Sequence, residues 1–319
     1  MAEGRFYRGL SRMIWYINVL LVSIIAKLFG REPYVSWSAL FRYNIHFAKL
    51  RYFKVLKFLK IIEEIPYEEI PHEVVDHDES VKLIKIADYK IYWPKSFPHG
   101  PVITAYESVS HNKADNYFRF YSPREDDIVF DLGACEGFFS LYLRNKVKKV
   151  YAFEPFPELC GALSLTLAED IRRGAAEVCN YAVGNSEGMV DFFVDVDLDG
   201  STFEVSKMCK AVLKKISVPE TTLDHFVSDR GIDRVSMIKM DIEGAEYSAL
   251  EGARGVIKEF KPDFLVSAYH YPRDYDRLSR FLVNSGYDIC RGPITMTAQN
   301  NQRRPWYRYA LIYAALKSR

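Results

Sequence analysis

Asp131, Gly133, Gly137 and Glu154 stand at spacings that could hold a nucleoside, while Asp241, Glu243 and His270 are residue types that could move a proton. Ile128 to Ser140 reads Ile-Val-Phe-Asp-Leu-Gly-Ala-Cys-Glu-Gly-Phe-Phe-Ser, and Val150 to Pro155 reads Val-Tyr-Ala-Phe-Glu-Pro. An apolar run ending in Asp131, a turn with two glycines and a second apolar run ending in Glu154 describe a β-α-β unit. Gly133 permits a sharp turn off a strand tip, and Gly137 lets the next helix begin close to a ligand. Glu154 lies 21 residues past Gly133, where a carboxylate at a strand end accepts hydrogen bonds from ribose hydroxyls. The pattern predicts an adenosine-type ligand, although a two-glycine turn taken alone serves equally as a plain structural turn.

The loop narrows the choice of ligand. Dinucleotide sites read G-x-G-x-x-G because the middle glycine lets the backbone approach a pyrophosphate. Here Gly-Ala-Cys-Glu-Gly has no middle glycine, and Glu136 sets a negative charge where a pyrophosphate would lie. A cationic sulfonium, S-adenosylmethionine, fits this loop better. Further on, Ser236 to Glu246 reads as a buried strand that delivers Asp241 at its tip, with Glu243 and Glu246 around a glycine turn, and Leu265 to Asp274 ends a strand in Tyr269 and His270. An imidazole titrates near neutrality, so His270 could act as general base, with Asp241 the rival that takes the proton or only orients the acceptor. The plainer readings are a hydrogen-bonded structural His270, and acidic residues placed in the first turn of a helix, which the helix dipole favours. For Glu246 the helix-turn reading is preferred.

These residues need a frame. Pro157 to Arg173 reads as a helix, Glu177 to Val183 and Met189 to Val194 as strands, and Ser236 to Met240 as a buried strand. Gly244 to Phe260 reads as a helix, Phe264 to Ala268 as a strand, and Asp274 to Ser285 as a helix stopped by Gly286. Tyr287 to Arg291 and Tyr307 to Ala315 read as closing strands. Strands alternating with helices predict a doubly wound α/β domain with a mainly parallel sheet, an antiparallel edge made by the last two strands, and ligands at the carboxyl ends of the strands.

Six blocks occur in order: Asp-x-Gly-Ala-x-x-Gly-Phe-x-Ser (131–140), Ala-Phe-Glu-Pro (152–155), Asn-x-Ala-Val-Gly-Asn (180–185), Thr-Leu-Asp (222–224), Ile-Lys-Met-Asp-Ile-Glu-Gly-Ala-Glu (238–246) and Ser-Ala-Tyr-His (267–270). This series resembles the FkbM family of S-adenosylmethionine-dependent methyltransferases, over about Ile128 to Tyr313, with Lys82 to Ser122 as a lead-in. The resemblance implies a Rossmann-like class I methyltransferase sheet and methylation of a hydroxyl on a sugar, glycan or secondary metabolite. It also implies that Asp131, Gly133, Ala134, Cys135, Gly137, Glu154, Pro155, Ala182 and Asp241 line the cofactor site, and that Asp241 to Glu246 border the reaction centre; with the strand-end His270, the catalytic candidates are Asp241, Glu243 and His270. Cys135 and Glu136 depart from the family loop, which usually carries Asn and an apolar residue there. No metal ligand set is read from the sequence.

Charge divides the chain. Residues 1–62 carry eleven Lys or Arg against Glu3 and Glu32, a net +9 in a chain of net +1, so the remainder is acidic and argues against a nucleic-acid-binding catalytic face. Met13 to Ala26 is apolar but shorter than the roughly 20 residues of a bilayer span, and Trp37 to Ile62 reads as a basic amphipathic helix. Two alternatives stay open for this helical extension: packing on the catalytic domain, or lying on an anionic membrane. The expected organisation is residues 1–62 as extension, 63–80 as linker, 81–125 as lead-in and 126–319 as the methyltransferase domain. Five cysteines without a CxxC pair fit reduced thiols and a cytoplasmic location, membrane-associated if the front end binds lipid. Two other classes remain: a nicotinamide-dependent oxidoreductase, and a membrane-associated binding protein with a degenerate transferase fold.

Overall fold

A computed structural model describes residues 72–86, 88–97, 117, 121–195, 213–268, 270–271, 274–291, 294–297, 306–309 and 311–316. The basic front end expected as a helical extension, and Tyr269, lie outside the described residues.

In chain order the elements begin with β1 (His72–Asp76), β2 (Val81–Ile86) and β3 (Tyr89–Pro94), then β4 (Ile128–Leu132), α1 (Phe138–Tyr142) and β5 (Lys149–Phe153). There follow α2 (Pro157–Thr166), α3 (Ala168–Arg172), β6 (Ala176–Cys179), β7 (Ala182–Val183), β8 (Gly188–Asp195) and β9 (Leu213–Thr221). The remainder runs α4 (Leu223–Arg230), β10 (Met237–Met240), α5 (Glu246–Glu251), α6 (Arg254–Phe260), β11 (Asp263–Ser267), α7 (Asp274–Asn284), β12 (Tyr287–Arg291), β13 (Ile294–Thr297), β14 (Trp306–Tyr309) and β15 (Leu311–Leu316).

Seven strands form the main sheet in the order β12-β15-β11-β10-β4-β5-β6. The strands β11, β10, β4, β5 and β6 pair in parallel, and β15 is antiparallel to both β11 and β12. The antiparallel edge is therefore made by inserting the last strand beside β11 and pushing β12 to the rim. Every residue of β4, β10 and most of β11 is buried; strands covered on both faces are nearly continuously apolar, and here the buried polar exceptions are Asp131, Lys239 and Ser267. Burial of a side chain such as Phe130 or Phe264 contributes about 1.5–3 kcal/mol.

Several boundaries differ from the sequence reading. The helix expected over 157–173 is two, interrupted at Leu167, and that over 244–260 is two, interrupted at Gly252 and Ala253. A Cβ on Gly252 would lie 2.1 Å from the Gly184 carbonyl oxygen, so the chain bends there to let two backbones meet. The strand expected over 177–183 splits between sheets: β6 joins the main sheet, while β7 pairs with β9 in a second sheet of order β7-β9-β8. The strand expected over 307–315 is likewise two, β14 and β15. The stretch read as linker, 63–80, contains β1, which pairs with β2. The small β1-β2-β3 sheet supplies Ile84, Ile91 and Trp93 to an apolar cluster with Phe138, Phe156 and Leu163, roofing α1 and α2.

Among the described residues, no helix is long and apolar enough to cross a membrane.

Candidate functional site

The tip of β4 meets that of β10, since the Asp241 N–H donates to the Leu132 carbonyl at 3.1 Å. Gly133 turns the chain off β4 with φ +74°, and a Cβ there would stand 1.9 Å from the Asp241 carbonyl oxygen. Glycine is required by the neighbouring strand as well as by the turn. Gly133 and Ala134 N–H groups both donate to the Phe153 carbonyl, at 3.1 and 2.9 Å, which ties the loop to the end of β5. Gly137 begins α1 with φ +83°; a Cβ there would lie 2.5 Å from Leu163 Cδ1. Its smallness and its left-handed backbone thus let α1 start close against α2.

Glu154 is buried at the end of β5, where its carboxylate accepts the Cys135 N–H at 3.1 Å and the Phe156 N–H at 2.9 Å. Burial raises its pKa to about 7, against the opposing pull of those two N–H donors. Glu136 is buried in the same loop and burial raises its pKa too. Cys135, at φ +46°, has a thiol pushed well above its ordinary range by burial and then by the Glu136 and Glu154 charges, so it is no nucleophile. Asn180 holds the strand exit by donating to the Glu154 and Pro155 carbonyls at 2.8 and 3.0 Å. Ala134 and Ala182 are buried in one apolar cluster.

Beneath the loop lies Lys239, which the sequence reading did not single out. Parallel register sets Lys239 beside Asp131, and its Nζ stands 3.0 Å from Asp131 Oδ1 and donates to the Gly133 carbonyl at 2.8 Å. Burial opposes its charge, but Asp131 and Asp241 outweigh that and raise its pKa. Ser140 donates to the other Asp131 oxygen at 2.7 Å. A signal existed: a lysine inside an apolar buried strand needs a partner.

Beyond β10, Glu243 turns the chain at φ +55°, a conformation costly for a side chain with a Cβ and concentrated at functional sites. The turn brings Glu243 and Asp241 to the buried His270, whose Nε2 lies 3.2 Å from Glu243 Oε2 and 3.4 Å from Asp241 Oδ1. On the other side, His270 Nδ1 lies 3.1 Å from Glu246 Oε1, which also accepts the Ile242 N–H at 3.0 Å. Glu246 does open a helix, α5, as its reading proposed, yet it is buried against His270. Burial disfavours a charged His270, but Glu246 and Glu243 prevail and hold its pKa well above the ordinary value. Donor atoms of Asp241, Glu243 and His270, and of Glu246, His270 and Asp274, lie within 4.8 Å of one another, close enough for a cation, and the carboxylates at each ring nitrogen favour the protonated form of His270. Tyr117 completes the group, its hydroxyl donating to Asp241 Oδ2 at 2.6 Å.

The Thr-Leu-Asp block is structural. Thr222 Oγ1 caps α4 by accepting the His225 N–H, and Asp224 accepts the Gly255 and Val256 N–H groups at 2.8 Å each.

A doubly wound sheet with this inserted antiparallel strand, a glycine turn after β4 and an acidic residue after β5 defines a Rossmann-like fold similar to that of methyltransferases. Residues 131–289 match the family model of the methyltransferase FkbM domain, and the chain belongs to that family. It is 24% identical over 193 residues to methyltransferase sdnD of Sordaria araneosa, covering 51% of this chain and 74% of that one. It is 26% identical over 157 residues to hexuronic acid methyltransferase AglP of Haloferax volcanii, covering 48% and 62%. Over 158 residues it is 28% identical to 31-O-demethyl-FK506 methyltransferase FkbM of Streptomyces tacrolimicus, covering 40% and 60%. The chain thus spans less than two thirds of the second and third relatives.

Proposed function

We propose that this protein transfers a methyl group from S-adenosylmethionine to a hydroxyl on a sugar, glycan or secondary metabolite. The observation that carries the reading is the joining of two parts at the tips of β4 and β10: a nucleoside-type loop ending at buried Glu154, and the Asp241–Glu243–His270–Glu246 cluster. The loop suits this cofactor, because it has no middle glycine for a pyrophosphate to approach and sets Glu136 where that pyrophosphate would lie. The same two features speak against a nicotinamide dinucleotide. The relatives' names, with a 31-O position in one and a hexuronic acid in another, support an oxygen acceptor.

When bound, the sulfonium supplies a methyl group that is already activated. The protein's own part is holding, orienting and removing a proton. Glu154 and the Gly133–Cys135 backbone hold the nucleoside, and Lys239 fixes that loop from below through Asp131 and the Gly133 carbonyl. Asp241 accepts the acceptor's proton. His270, whose pKa the flanking Glu246 and Glu243 hold above its ordinary value, is the weaker base of the two and acts by fixing Asp241 and Glu243.

Calorimetry with S-adenosylhomocysteine and with NAD tests the cofactor; binding of NAD alone would replace this reading with an oxidoreductase. Incubation with methyl-labelled S-adenosylmethionine and a host extract, followed by mass spectrometry of labelled products, tests the transfer and identifies the acceptor.

A further inference from the structure

We infer that Tyr117, which lies ahead of the family-matched segment, is a positioning residue that sets the orientation of Asp241. The inference rests on the reading above in which Asp241 takes the acceptor's proton.

A carboxylate at a strand tip turns freely about its last bond unless both oxygens are held. Asp241 Oδ1 faces the His270 ring at 3.4 Å, and Oδ2 receives the Tyr117 hydroxyl at 2.6 Å, within the short range of an O–H donor on a charged acceptor. The two contacts come from opposite directions in the chain and fix the plane of the group. Tyr117 is itself held. It is buried with Val129, Phe139, Leu143 and Leu265, its ring meets Phe139 edge-on at 5.8 Å, and its oxygen lies 3.3 Å from Ser267 Oγ. Lys239 Nζ stands 5.7 Å from the ring centroid, so this one side chain bonds the carboxylate that meets the acceptor and lies near the cation that braces the cofactor loop. The two halves of the site are thereby kept in register by a residue outside the matched segment 131–289.

Tyr117→Phe in the full chain removes the hydroxyl and keeps the packed ring. The expected result is a fall in label transfer to the extract of about tenfold or more, an acid limb of the pH–rate profile displaced to higher pH, and S-adenosylhomocysteine affinity within about twofold of wild type. The displacement follows because the lost donor stabilised the charged form of Asp241. Carboxyl-carbon NMR of aspartate-labelled protein, with the Asp241 signal assigned by its loss in Asp241→Asn, reads the same change without any acceptor: the signal should titrate at higher pH in Tyr117→Phe. A signal that titrates as in wild type overturns the inference and leaves Tyr117 a core residue. If wild-type protein fails to bind S-adenosylhomocysteine, the methyltransfer reading fails instead, and the NMR comparison still decides the Tyr117–Asp241 link.

Discussion

The two halves of the site handle buried charge in opposite ways. At the tips of β4 and β5, Lys239 is matched by Asp131, while burial pushes Glu136 and Glu154 toward their neutral forms. At the tips of β10 and β11, the His270 cation stands among Asp241, Glu243 and Glu246, so carboxylates outnumber it. The first half suits holding a ligand with little net charge of its own; the second suits receiving a proton. The difference follows from partners, since each half contains one cation and several carboxylates.

The comparison breaks most sharply at Asp241. Asp241→Asn should lower methyl transfer by about 10²–10⁴-fold with S-adenosylhomocysteine affinity nearly unchanged; the same loss in affinity would move Asp241 into the cofactor half. His270→Gln should cost less, because it disturbs the carboxylates without removing the base. Wild-type turnover in both variants assigns proton removal to solvent.

Gly133→Ala tests the seam between the halves. With φ +74° and the Asp241 carbonyl 1.9 Å from the new Cβ, the substitution should destabilise the fold by roughly 2–4 kcal/mol in urea denaturation. An unchanged midpoint would show that the strand tips can part without cost.

In the holding half, Glu154→Ala should weaken S-adenosylhomocysteine binding by about 1.5–3 kcal/mol, roughly 10- to 100-fold, in calorimetry. Unaltered affinity removes Glu154 from the site.

The smallest effect is one of pH. Glu154 titrates at about 7 against an ordinary 4.5, so between those values the folded chain keeps a proton that the unfolded chain releases. Its contribution to stability therefore declines as pH rises through that window. The ionised carboxylate accepts ribose hydroxyls better, so affinity should increase severalfold from about pH 6 to about pH 8, and Glu154→Gln should flatten that dependence. A flat wild-type profile would detach ligand binding from this carboxylate.

The sequence was enough to place Asp131, Gly133, Glu154 and Asp241, because each stands at the end of an apolar run and the tip of a strand is a local property. It also gave the alternation of strands and helices that makes a doubly wound sheet. Its misreadings share one cause. The breaks at Leu167 and Gly252 and the division of β6 from β7 depend on which backbone approaches from elsewhere, such as Gly184 against Gly252, and periodicity carries no record of that. β9 is hidden for a local reason, since Lys214 and Lys215 interrupt its apolar pattern.

What the sequence determined by itself was the set of strand tips and the chemistry each could carry, since strand ends, turn glycines and acidic residues are written within a dozen positions of one another. The tertiary structure decided which groups share a proton or a charge. Lys239 meets Asp131 only because β10 lies beside β4 in one register, Glu246 and Glu243 charge His270 only because the turn after β10 folds over the end of β11, and Tyr117 reaches Asp241 across 124 positions of chain. A pKa or an ion pair depends on distances of a few ångströms between such residues, and those distances exist only once the strands have been set side by side.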